Sequence, residues 1–85
     1  MAIMLADGFE EAIVGIGQQF TRQFVVYDRS KCIEILMYRD GMSEEDAEEY
    51  FEFKVVGAWV GEGTPVFVRQ MVPEDVIEHV QEFGG

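Results

Sequence analysis

The chain has few basic residues and no long apolar run, and each shortage excludes a class of protein. Only 6 residues are Lys or Arg, against 17 Asp and Glu, so the formal net charge is −11. Nucleic-acid backbones and anionic membranes bind basic surfaces, so we expect no direct nucleic-acid partner and no membrane partner. No apolar run reaches the roughly 20 residues that a membrane-spanning helix needs.

Cysteine is also scarce, because Cys32 is the only one in the sequence. An intramolecular disulfide is therefore impossible, which fits a reducing, intracellular setting. Residues 1–6 are apolar but carry no basic residue, and Asp7 follows directly. This pattern is not that of a secretory signal peptide.

Apolar residues are plentiful: 48% of the chain is hydrophobic and 13% is aromatic. Disordered chains have less of both, so we expect a folded protein. A length of 85 residues corresponds to one small domain, so we predict a single domain over residues 1–85.

The first third of the sequence predicts a β-hairpin. Residues 9–17 alternate as a strand, with Ala12, Val14 and Ile16 on one face, and residues 23–27 form a second strand. Strands this close in sequence pair antiparallel. Gly15 and the glycine two residues later leave the other face bare, which is typical of a bulge or of a closely packed neighbour.

Two helices are predicted next. Asp28 or Ser30 caps the first, and Gly41 suits the left-handed residue that ends it. Ser43 caps the second, whose first turn is acidic. The apolar stripes are Cys32, Ile33, Leu36 and Met37 in the first helix, and Ala47, Tyr50, Phe51, Val55 and Ala58 in the second.

The second helix ends at Gly57 or at Gly61. Residues 64–71 form a third strand, and Pro73 begins a last helix at a position where proline is favoured. The residues that this helix turns inward are Val76, Ile77, Val80 and Phe83. The order ββααβα predicts an α+β fold, with a small, three-stranded, mostly antiparallel sheet and helices packed on one face.

The residues needed for catalysis are not grouped in the sequence. His79, the only histidine, lies between Asp75 and Glu82 in a surface pattern, and Cys32 lies in an apolar stripe. We therefore expect no enzyme and no cofactor. The pair Gly15-x-Gly17 lacks the third glycine and the following helix of a dinucleotide-binding loop.

The strongest candidate site is the acidic second helix. It carries glutamates four residues apart, whose like charges repel by a few tenths of a kcal/mol per pair. Such repulsion suggests a basic partner, although the same residues would also serve solubility alone, and without loop carbonyls we expect no metal site. Phe53 should lie outside the main core. The predicted partner-binding residues are Glu45, Glu48, Glu49, Glu52 and Trp59.

Several segments resemble a group of small, uncharacterised proteins from tailed bacteriophages. The segments are 7–12 (DGFEEA), 26–28 (VYD), 31–37 (KCIEILM), 40–43 (DGMS) with the acidic helix, 57–62 (GAWVGE) and 64–65 (TP). The resemblance implies a phage origin and expression in the cytoplasm of a bacterial host. It supplies no functional residue, because no activity is established for the group.

Two functions are compatible with these observations. The first is a non-enzymatic protein that binds a basic or nucleic-acid-binding host protein, as an anti-defence inhibitor or a nucleic-acid mimic would. The alternative is a phage structural or accessory protein that acts through homo-oligomeric or virion contacts. Salt distinguishes them, because screening weakens charge-driven docking and leaves apolar contacts in place.

Overall fold

A computed structural model describes residues 3–58 and 63–83. The strands are β1 (Ile13–Gln19), β2 (Arg22–Asp28) and β3 (Val66–Val68). The α-helices are α1 (Arg29–Asp40), α2 (Glu44–Tyr50) and α3 (Pro73–Phe83). A 3₁₀ turn, Glu10–Ala12, precedes β1, and a π-helical segment, Phe51–Val55, and a second 3₁₀ turn, Val56–Ala58, continue α2. The predicted α+β class and the order ββααβα are confirmed.

The three strands form one mixed sheet in the order β1-β2-β3. The predicted hairpin is present, since β1 and β2 pair antiparallel. β3 pairs with β2 in parallel, with Val26 opposite Val66. Parallel neighbours need a crossover connection, and α1 and α2 supply it.

The first strand begins later than predicted, at Ile13 rather than at residue 9. A bulge interrupts the pairing between Ile13 and Gly15. As a result, Ile13 and Ile16 lie opposite Tyr27 and Val25 on the same face. The prediction that Ala12, Val14 and Ile16 share one face is therefore wrong, because a bulge breaks the two-residue alternation.

The glycines of β1 have different surroundings. A Cβ atom on Gly17 would overlap the ring of Phe24, whereas one on Gly15 would meet open space. The bare face predicted from the sequence thus accommodates an aromatic side chain of the neighbouring strand at Gly17.

The helix ends follow the predicted capping chemistry. Asp28, and not Ser30, caps α1: its Oδ1 accepts a hydrogen bond from the N–H of Lys31 at 3.2 Å. Gly41 ends α1 in the left-handed conformation, with φ of 69°. The Oγ atom of Ser43 accepts a 3.2 Å hydrogen bond from the N–H of Asp46 at the start of α2.

The core lies between the sheet and the pair α1 and α2. The Tyr27 hydroxyl is fully buried and accepts a 2.8 Å hydrogen bond from the N–H of Ala6. Phe67 of β3 contacts Tyr27 and Phe51, with ring centroids 5.5 Å and 5.1 Å apart. The buried apolar residues are Ala6, Phe9, Ala12, Val25, Tyr27, Cys32, Ile33, Leu36, Ala47, Phe51 and Val55.

The last helix corrects another prediction. Val76, Ile77 and Val80 were predicted to point inward, but 45%, 59% and 52% of their surfaces are exposed. The amphipathic pattern of α3 is real, yet among the described residues no other helix or strand packs along it. The Phe83 side chain, also predicted inward, lies outside the described part of the structure. β3 is shorter than the predicted strand 64–71.

Candidate functional site

The position of α2 on the core decides which of its acidic residues face solvent. Ala47 and Phe51 are fully buried, and Val55 is 8% exposed. These three residues are four apart and form one line against the core. The glutamates between them are all exposed.

A π-helical segment follows α2 directly. The N–H of Val56 donates to the carbonyl oxygen of Phe51, five residues earlier, which defines the wider turn. Such turns are rare and occur often at functional sites. The predicted apolar stripe is wrong at two positions: Tyr50 is 42% exposed and Ala58 is also exposed. The wider turn explains Ala58, because it rotates the residues that follow Val55 away from the core line.

One flank of the helix is neutralised by Arg29, the first residue of α1. Its Nη2 donates a 2.9 Å hydrogen bond to Oε1 of Glu52, and its Nη1 lies 4.0 Å from Oε1 of Glu48. The guanidinium also stacks on the Phe51 ring, 5.5 Å from its centroid. Two of the four predicted glutamates are thus already paired within the chain.

The other two glutamates point outward. Among the described residues, no hydrogen bond or ion pair engages Glu45 or Glu49. They lie four residues apart, on the side of α2 away from the buried Ala47 and Phe51. The predicted site therefore divides into a compensated pair, Glu48 and Glu52, and an uncompensated pair.

A shallow groove of about 630 Å³ lies beside Glu49. Its lining residues are Met42, Asp46, Glu49, Tyr50, Phe53 and Lys54. Phe53 is 75% exposed, so the prediction that it lies outside the core is confirmed. We call Glu45, Asp46, Glu49, Tyr50 and Phe53 the docking face. An exposed aromatic residue with a polar rim is the composition of an interface anchor.

Trp59, the remaining predicted site residue, lies outside the described residues. The groove residues Phe53 and Tyr50 were not in the predicted site. The sequence signal for them was the spacing Tyr50, Phe51 and Phe53, since three aromatic residues so close together cannot all face the core of one helix.

A second groove, of about 400 Å³, lies between the N-terminal segment and α1. Arg39 is held there by a 2.8 Å hydrogen bond to the carbonyl oxygen of Gly8 and by Asp40. The hydrogen bond between their side chains raises the pKa of Arg39 and lowers that of Asp40. Glu11, Lys31 and Glu34 also line this groove.

The described residues hold the Cys32 thiol away from solvent and group no metal-ligating side chains. Cys32 is fully buried, as predicted, and burial, with a smaller effect of the Asp28 carboxylate, raises its pKa from 9.0 to about 12. Within the described ranges, no three Cys, His, Asp or Glu side chains are grouped to hold a metal ion. The exposed features of α2 and of the segment after it are thus the charged glutamates and the aromatic side chains of Tyr50 and Phe53.

No protein-family model, curated protein or solved structure matches the chain. In residues 3–58 and 63–83, every helix is too short or too polar to cross a membrane.

Proposed function

We propose that this is a non-enzymatic binding protein that docks on a basic host protein through the docking face. The partner is a protein with a cationic surface, such as a nucleic-acid-binding protein. The resemblance to small phage proteins supports a phage origin and a role in the bacterial cytoplasm, where an anti-defence inhibitor or a nucleic-acid mimic would act.

This proposal depends on one observation: in the described part of the chain, two of four neighbouring glutamates are paired with a cation and two are not. Arg29 compensates Glu48 and Glu52, whereas no described residue compensates Glu45 and Glu49. Glu49 lines a groove that exposes three-quarters of Phe53, and Glu45 lies one helical turn before Glu49. Charge around an exposed aromatic residue gives both long-range attraction and a contact anchor.

The overall charge supports a basic partner. A formal net charge of −11 creates a field that attracts cationic surfaces and repels phosphate backbones. Glu48 and Glu52 remain about half exposed, so they contribute to the rim of the same surface. The partner should therefore bind faster at low salt than at high salt.

The alternative is a phage structural or accessory protein that acts through homo-oligomeric or virion contacts. Exposed apolar side chains on α3 favour it, among them Val76, Ile77 and Val80. Contacts of this kind would persist at high salt, since burial of apolar surface does not depend on charge attraction.

The test begins with a pull-down from host lysate and identification of the captured protein. The purified partner is then titrated with wild type and with the double variant Glu45→Gln, Glu49→Gln, at low and at high salt. The matched control is Glu74→Gln with Glu78→Gln, which removes the same charge from two exposed residues four apart on α3.

We expect the α2 double variant to associate about threefold to tenfold more slowly at low salt, because rim charges mainly steer encounters. The control variant should slow association by less than half as much. Phe53→Ala should instead raise the dissociation rate, on the order of tenfold, as loss of an anchor does. Equal low-salt affinity of wild type, the α2 double variant and Phe53→Ala would remove the docking face from the interface.

A further inference from the structure

Among the described residues, the outer edge of β1 is unpaired. β1 lies at the end of the strand order, and its one described neighbour is β2. No other described strand covers its outer side, along a strand of seven residues. A free edge presents unpaired N–H and C=O groups that can bind another strand.

The open edge also lacks the charged residues that usually protect an edge strand. Residues 12–21 form the longest uncharged stretch of a sequence in which 27% of residues are charged. The bulge lies near Val14, so the pairing is regular from Gly15 to Gln19. This strand is therefore both accessible and neutral.

On the core side of the sheet, the side chains of β1 remain exposed to solvent. Ile13 and Ile16 are opposite Tyr27 and Val25, which are buried. Yet Ile16 is 62% exposed and Ile13 is 41% exposed. The apolar layer of the sheet thus continues beyond the area that the described helices cover, and an added strand would extend it.

We propose that β1 pairs with β1 of a second copy of this chain, antiparallel about a two-fold axis, to give a continuous six-stranded sheet. The occupant is argued from charge. Two chains of net charge −11 repel wherever their acidic surfaces meet, and the neutral strand is where they can approach with least repulsion. A strongly charged partner would gain nothing from an uncharged edge.

The orientation also follows from charge. Antiparallel pairing centred on Ile16 places Gly15 opposite Gly17, and puts the Glu11 residues of the two copies at opposite ends of the paired strands. Parallel pairing would place Glu11 against Glu11 instead, and like charges directly opposite destabilise a sheet. A two-fold interface uses the same strand from both copies, as most homodimers do.

This inference is independent of the docking face, which belongs to α2. The two respond to salt in opposite directions. Salt screens the repulsion between two acidic copies and so strengthens the β1 contact, whereas it weakens docking on a basic partner. Failure of one proposal is thus distinguishable from failure of the other.

The experiment measures the mass of the purified chain by sedimentation equilibrium over a concentration series at low and high salt. Ile16→Lys places a charge in the middle of the edge. The matched control, Val72→Lys, makes the same change outside β1 and α3 at similar exposure, 56%. Gln18→Lys, at an exposed polar position of β1, is the second edge variant in case Ile16→Lys unfolds, which circular dichroism reports.

We expect a wild-type dimer that tightens with salt and is weakened about tenfold or more by Ile16→Lys and by Gln18→Lys, while Val72→Lys leaves it unchanged. Both edge variants reduce the net negative charge, so weakening cannot come from general repulsion. Amide exchange in residues 13–19 should slow as concentration rises. A wild type that stays monomeric at every concentration and salt, or a dimer that the folded edge variants leave intact, would overturn the proposal.

Discussion

Arg29 and Glu52 are joined across the structure by a 2.9 Å hydrogen bond between opposite charges. Arg29 begins α1, and Glu52 lies in the π-helical segment after α2. The same guanidinium stacks on Phe51, which is fully buried. One cation therefore fixes the two helices to each other and covers the edge of the core.

Removing this cation should lower stability modestly. We expect Arg29→Ala to reduce the free energy of unfolding by about 1 kcal/mol, since an exposed ion pair and a stacked cation each contribute less than that. Glu52→Gln should lower the free energy of unfolding by less than about 1 kcal/mol. Glu45→Gln, the matched control, should leave stability within about 0.5 kcal/mol or raise it slightly, because it relieves like-charge repulsion. Urea unfolding measures all three, and a larger loss for Glu45→Gln than for Glu52→Gln would contradict the assignment.

Cys32 should make stability depend on pH in the alkaline range. Its pKa is about 12 in the folded chain, against an ordinary value of 9.0 for the unfolded chain. Because the folded pKa is the higher one, the stabilisation by the neutral thiol is complete below pH 9.0 and falls as pH rises toward 12. Urea unfolding at pH 7.5 and pH 10 should show a smaller decline for Cys32→Ala than for wild type.

The same burial should protect the thiol from reagents. At pH 8 we expect labelling of the folded wild type to be limited by opening of the structure, while the urea-unfolded chain reacts at the rate of a free thiol. Rapid labelling of folded protein would show that Cys32 is accessible.

The two glycines of β1 should respond differently to a methyl group. Gly17→Ala should destabilise the fold by about 1–2 kcal/mol, since the Phe24 ring must move away from its position. Gly15→Ala, the control, meets open space and should be neutral or stabilising by up to about 1 kcal/mol through the unfolded state. Thermal or urea unfolding of the two variants decides this, and equal effects would contradict the packing of Phe24 on Gly17.

The start of α1 offers a direct test of the cap. Asp28→Ala should reduce the free energy of unfolding by about 1 kcal/mol or slightly more, because the residue caps the helix and also accepts a 3.1 Å hydrogen bond from Nε2 of Gln70. Ser30→Ala should have almost no effect. If Ser30→Ala proved the more destabilising in urea unfolding, the cap assignment would be wrong.

Local chemistry made part of this fold predictable. The caps at Asp28 and Ser43 and the left-handed Gly41 depend only on a few neighbouring residues, and the structure contains all three. The bulge at β1 was less accessible, because alternation of Val14 and Ile16 also fits a regular strand. A bulge is a shift in the pairing between two strands, and the alternation of residues within one strand does not show that pairing.

The site was only partly predictable for a similar reason. Helical spacing groups Glu45 and Glu49 with Glu48 and Glu52, but their difference depends on Arg29, a residue of another helix. The amphipathic pattern of α3 predicted an apolar face correctly. The pattern did not show whether another helix or strand packs on that face, because the packing depends on where α3 lies in the fold.

The parallel pairing of β2 and β3 has a consequence for the order of folding. Val26 pairs with Val66, forty residues later in the chain, whereas β1 and β2 close over a short turn. A long loop must lose its freedom before the three-residue β3 gains any hydrogen bond, so distant pairing is slow. We expect the hairpin to form early and β3 to join last and detach first, carrying α3 with it. Amides of β3 should accordingly exchange with solvent faster than those of β2.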